Sequence, residues 1–83
     1  MDYYSKNIEE IKKKGFETMN FGGYGGTGYK KGNLEIWCNE WGYAYIQLIR
    51  DKELINKVDL CQISTYPISK KLEEALKEIR VYR

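Results

Sequence analysis

Between Asn33 and Arg50 apolar and polar positions alternate with a period of two. Leu34, Ile36 and Cys38 alternate with Glu35, Trp37 and Asn39; beyond Gly42, Ala44, Ile46 and Leu48 alternate with Tyr43, Tyr45 and Gln47. This pattern predicts two antiparallel strands that share one buried face. A three-residue loop, Glu40-Trp41-Gly42, with Gly42 in the left-handed region, pairs Cys38 with Ala44, Ile36 with Ile46 and Leu34 with Leu48. All six then fall on one side. A two-residue Trp41-Gly42 turn would set Cys38 opposite Tyr45 and Ile36 opposite Gln47, so the alternation selects the longer loop. The same register turns Trp37, Tyr43 and Tyr45 to the opposite face and puts Trp41 at the hairpin tip.

Before this hairpin, Tyr4, Ile8 and Ile11 recur at helical spacing, Asn7 and Glu10 have the spacing of a capping box, and Lys12-Lys13-Lys14 followed by Gly15 suits a helix C-terminus. Residues 16–21 read as a strand, with Glu17, Met19 and Phe21 on one side and Phe16, Thr18 and Asn20 on the other. The buried side is left open. Residues 22–32 read as a glycine-rich loop. After Arg50 the period changes: Leu54, Ile55, Val58 and Cys61 follow a helical stripe behind a candidate N-cap, Asp51, with a strand over 57–63 as the alternative. Tyr66-Pro67 interrupts the chain, and Ile68, Leu72, Leu76 and Ile79, flanked by Ala75, predict a last amphipathic helix. Its charged residues mix both signs, the pattern of a solvated face. The expected fold is α+β: a three-stranded antiparallel sheet with helices packed on one face, in the order α-β-β-β-α-α, as one domain over residues 1–83.

Composition narrows the function. The 83 residues suffice for one small domain, and the chain has no histidine, twelve Phe, Trp and Tyr residues, and a net charge of +2. The missing histidine excludes triads and zinc sites that depend on it. Cys38 and Cys61 are 23 positions apart and belong to no CxxC pair. Two reduced thiols packed in the core are the expectation, with a disulfide or a shared metal or redox role as alternatives. The opening residues lack the basic cap and apolar run of a secretory signal, and no stretch is apolar enough to span a bilayer, which gives a cytoplasmic expectation.

The glycine-rich segment contains the most conspicuous motif. Gly23, Gly25 and Gly28 match G-x-G-x-x-G, but Lys30-Lys31-Gly32 and a strand follow where the dinucleotide fingerprint requires a helix. A mobile connection and a partner-binding loop are the two remaining readings. In the second, Tyr24 and Tyr29 supply rigid contact area and Lys30 and Lys31 supply charge. The hairpin's outer face, with Trp37, Tyr43 and Tyr45 and with Trp41 at the tip, is either sheet reinforcement or an interface. Ser5, Ser64 and Ser69 lack an activating base, and Glu35 and Glu40 lack an enclosed site. The chain is therefore expected not to be an enzyme and to need no metal or cofactor.

Two resemblances follow from these residues. The order helix, three-stranded sheet, helix, with Ser69-Lys70-Lys71 opening the last helix, resembles a double-stranded-RNA-binding domain, which implies phosphate contacts by Lys70 and Lys71; in a nucleic-acid reading Lys30 and Lys31 of the glycine-rich segment would join them. The opening Asn7-Ile8-Glu9-Glu10-Ile11-Lys12-Lys13-Lys14-Gly15-Phe16, a helix passing straight into a strand, is similar to that of small phage-encoded anti-CRISPR proteins. That resemblance implies a compact inhibitor that occludes a larger machine, and it assigns no residues. The expected function is a non-catalytic binding or inhibitor protein whose partner is a larger host protein or ribonucleoprotein. Its contact residues would be Tyr24, Tyr29, Lys30, Trp37, Trp41, Tyr43 and Tyr45. Nucleic-acid binding is the alternative, and the chain is expected to be a monomer or homodimer.

Overall fold

The computed structural model describes residues 2–20, 27–39 and 41–80. Among them the order is α1 (Tyr4–Lys13), β1 (Glu17–Asn20), β2 (Thr27–Lys31), β3 (Leu34–Cys38), β4 (Tyr43–Arg50), β5 (Glu53–Gln62) and α2 (Ser69–Arg80). The strands form one antiparallel sheet in which each pairs with its neighbour in sequence, β1-β2-β3-β4-β5. The class is α+β, but the three-stranded α-β-β-β-α-α arrangement is corrected to helix, five strands, helix.

Two hairpins account for the correction. The first joins β2 to β3. Lys31 pairs with Leu34, and Gly32, at φ +60°, is the first central residue of a two-residue turn with Asn33. This is the sign pattern of a type II′ turn, whose twist suits a hairpin. Half of the expected glycine-rich loop is thus strand. The second hairpin joins β4 to β5. Arg50 pairs with Glu53 across Asp51 and Lys52, whose φ values of +53° and +66° make a type I′-like turn without glycine. Asp51 is a turn residue and not an N-cap, and residues 53–62 are strand and not helix. The β4–β5 ladder shifts register between Tyr43 and Tyr45 and again between Leu48 and Ile49. Each shift offsets the two-residue period by one, so the apolar positions of β5 do not alternate regularly along its length.

The β3–β4 hairpin has the expected register: Leu34 pairs with Leu48, Ile36 with Ile46, Trp37 with Tyr45 and Cys38 with Ala44. Ile36, Ala44, Ile46 and Leu48 are buried, and Leu34 and Cys38 are half-buried against the same cluster. Tyr29 extends this inner face into β2, and Leu60 and Ile63 extend it along β5 and beyond. Ile11 and Phe16, together with Ile68, Leu72, Ala75 and Ile79, close over it. Both helices therefore pack on one face of the sheet. Cys38 and Cys61 are free thiols, each pushed up in pKa by burial.

The start of α1 differs from expectation. The Asp2 carboxylate, at Oδ1, accepts the Tyr4 N–H at 2.9 Å, and Asn7 lies a turn inside the helix as a buried residue. Its Nδ2 donates to the Ile63 and Tyr66 carbonyls at 2.6 and 2.7 Å, and its Oδ1 accepts the Ile68 N–H at 3.0 Å. Asn7 is therefore not part of a capping box; it fastens α1 to the connection between β5 and α2. At the other end of the helix Gly15 takes φ +95°, Lys31 Nζ donates to the Lys14 carbonyl at 2.6 Å, and Lys14 Nζ meets Glu73 at 3.3 Å. The lysine run thus has local structural partners.

Candidate functional site

The sheet face opposite the helices carries the candidate site, and its side chains follow from strand register. One row crosses all five strands: Glu17 pairs with Lys30, Lys30 with Glu35, Glu35 with Gln47, and Gln47 with Lys57. The adjacent row holds Met19 opposite Gly28, then Trp37 opposite Tyr45, then Asp59. Charge of alternating sign therefore borders an aromatic strip.

Short contacts hold these side chains in place. Trp37 Nε1–H donates to Glu35 Oε1 at 2.8 Å, and Gln47 Nε2 donates to the same oxygen at 3.1 Å. A Cβ added at Gly28 would lie 2.7–2.9 Å from Cη2, Cζ3 and Cε3 of Trp37, so the indole lies against the β2 backbone. Lys57 Nζ sits 4.4 Å from the centre of the Tyr45 ring, a cation–π contact. Tyr43, Tyr45, Lys57 and Asp59 border a shallow depression of about 320 Å³.

The hairpin tip is constrained as well. Asn39 Oδ1 accepts the N–H groups of Trp41 and Tyr43 at 2.9 and 3.0 Å, and the Asn39 N–H donates to the Tyr43 carbonyl at 3.0 Å. Gly42 takes φ +85°, and Gln62 Nε2 donates to the Trp41 carbonyl at 3.0 Å. Gln62 Oε1 in turn accepts from Ser64 and Thr65. These bonds fix the backbone while the side chains above it stay open: Trp41 is 69% exposed and Tyr43 is 55% exposed.

Of the residues singled out in the sequence, Trp37, Trp41, Tyr43, Tyr45 and Lys30 come together on this face or at its tip. Tyr29 does not. It is on the inner face, 4% exposed, with its hydroxyl pushed up to about 12, first by burial and then by the neighbouring Tyr4 and Cys38. Its expected contact role is corrected to core packing, because β2 turns it toward the helices. Tyr24 and Glu40 lie outside the described residues. The four lysines of the nucleic-acid reading are divided between faces. Lys30 stands on the outer face, Lys31 reaches back to α1, and Lys70 and Lys71 open α2 on the helix side. Asn39, Gln47, Lys57 and Gln62 were not expected at the site; Gly32-Asn33, a two-residue hairpin signal, was the cue that would have placed β2 and its outer residues.

Among the described residues no three His, Cys, Asp or Glu side chains gather as a metal site, and no helix is long and apolar enough to cross a membrane. The chain matches no protein-family model, no curated protein and no solved structure.

Proposed function

We propose that the chain is a non-catalytic binding protein that occludes a surface of a larger protein, docking through its helix-free sheet face and the Trp41 tip. The observation that carries this reading is the exposure of Trp41 and Tyr43 on a turn whose backbone is fixed by Asn39 and Gln62. Large aromatic side chains on a preordered backbone lose little entropy on binding and are the usual anchors of protein interfaces. The depression beside Tyr43 can receive a partner side chain. The mixed-sign row from Glu17 to Lys57 favours a partner with its own alternating charges, which sets register and selectivity. A phosphate backbone would meet Glu17 and Glu35 there as well as Lys30. Occlusion of this kind is what the resemblance to anti-CRISPR inhibitors implies, and a cytoplasmic setting, where thiols stay reduced, suits the two free cysteines.

The test is capture from nuclease-treated host extract on immobilised wild-type protein and on Trp41→Ala/Tyr43→Ala. The expected result is a protein retained by the wild type and lost from the variant, with the two melting temperatures alike. Equal retention by the folded variant, or a capture that nuclease abolishes, overturns the proposal.

A further inference from the structure

A second feature lies on the other face, where the sheet and α2 part at the β2–β3 turn. The inner-face residues Leu34 and Leu48 meet Leu76 and Ile79 of α2 around a cleft of about 440 Å³, within the size range of small-molecule sites. Leu48 and Ile79 are buried, while Leu34 and Leu76 are half-buried, so the apolar floor continues into walls that solvent reaches. A Cβ at Gly32, which also borders the cleft, would meet nothing within 4 Å, so the mouth is open on that side.

The polar rim has one sign. Lys31 and Arg50 both line the cleft, and no carboxylate among the described residues does. Lys31 Nζ uses one N–H on the Lys14 carbonyl, which leaves two donors. Arg50 makes no ion pair with a carboxylate among the described residues. Inner-face register explains the grouping: Leu48 and Arg50 are two apart on β4, Lys31 pairs with Leu34, and Leu34 pairs with Leu48. An apolar trough that ends at two cations complements a molecule with an alkyl chain and an anionic head.

We infer that this cleft binds a small anionic amphiphile, its alkyl chain against Leu34, Leu48, Leu76 and Ile79 and its head group between Lys31 and Arg50. The head can be a carboxylate or a phosphate monoester, since both accept paired N–H donors from arginine. This site is on the helix side of the sheet and independent of the outer face.

The test is a titration of the isotope-labelled chain followed by amide resonances, with octanoate, octyl phosphate, octanol and octylammonium as separate probes. Saturable shifts at Gly32, Asn33 and Leu76 are expected with at least one of the two anions, and their relative affinities distinguish carboxylate from phosphate. Arg50→Gln, an exposed position that leaves the core intact, should weaken that binding roughly tenfold, the size expected for losing a hydrogen bond to a charged group. Absence of saturable shifts there with both anions, equal binding of octanol or octylammonium, or unchanged affinity in Arg50→Gln would overturn the inference.

Discussion

Trp37 covers Gly28 across the β2–β3 ladder so closely that the glycine hydrogen stands where no methyl group fits. Three indole carbons would lie 2.7–2.9 Å from a Cβ at that position. Gly28 is not among the residues with positive φ, so the constraint comes from the ring and not from backbone conformation. A glycine that would otherwise weaken a strand is shielded by an aromatic side chain from the neighbouring strand. This pairing ties the outer aromatic strip to the integrity of β2.

Gly28→Ala should therefore destabilise the fold by about 1–3 kcal/mol, the usual cost of overpacking. In Trp37→Ala the same glycine substitution should cost much less, because the obstructing ring is gone. Urea unfolding of the two single variants and the double variant measures the coupling. Additive effects would show that the ring does not confine Gly28.

The same contact explains part of what was legible in the sequence. The β3–β4 register was readable because Leu34, Ile36 and Cys38 alternate strictly against Ala44, Ile46 and Leu48, and because only one loop length keeps all six on one side. The last helix was readable from Ile68, Leu72, Leu76 and Ile79 for a similar local reason. β2 was hidden because Gly28 contributes no side chain to an alternation, its place being filled by Trp37 from another strand. β5 was hidden because Asp51 and Lys52 make a left-handed turn without glycine and because two register shifts break its period. Of the outer face, the aromatic residues of one hairpin were visible, while Gln47 was seen as a polar position without its bond to Glu35. Lys57 falls in a segment whose apolar spacing favours a helix, with a strand over 57–63 only as the alternative, so its place on the outer face was not legible.

Asn7 marks the limit of local patterns, since its partners lie 56 to 61 positions away. Asn7→Ala should leave the Ile63 carbonyl and the Ile68 N–H without their partner in a buried place. Each stranded group costs about 1–3 kcal/mol, so a loss of about 3 kcal/mol or more is expected in chemical denaturation. Asn7→Asp keeps the acceptor for Ile68 but replaces the donor to two carbonyls. Once ionised it directs negative charge at both carbonyl oxygens, so this variant should be less stable at pH 7 than at pH 4, relative to wild type. A variant as stable as wild type at both pH values would refute this account of Asn7.

The β4–β5 turn has room for improvement. Asp51 and Lys52 both occupy the left-handed region, which Asn and Gly tolerate better than other residues. Asp51→Asn/Lys52→Gly should raise stability by about 1 kcal/mol, read as a higher denaturant midpoint with an unchanged slope. If residues 51–61 were helical, asparagine would still serve as the N-cap but the glycine in the first turn would lower stability. The sign of the change therefore discriminates between strand and helix.

Tyr29 gives the fold a dependence on alkaline pH. Burial raises its hydroxyl from the ordinary value of 10.0 to about 12, with smaller contributions from Tyr4 and Cys38. Below pH 10 the hydroxyl is protonated in both folded and unfolded chains and contributes no pH dependence. Between about 10 and 12 the unfolded chain releases this proton while the folded chain keeps it, so stability falls as pH rises through that window. Tyr29→Phe has no proton to release, and its stability should decline less steeply over the same range, by comparison of urea midpoints at pH 9 and pH 11. Parallel declines in the two proteins would show that other groups set the alkaline limit. A spectrophotometric titration adds an independent reading: the folded wild type should show a tyrosinate step at about pH 12, and that step should be missing from Tyr29→Phe.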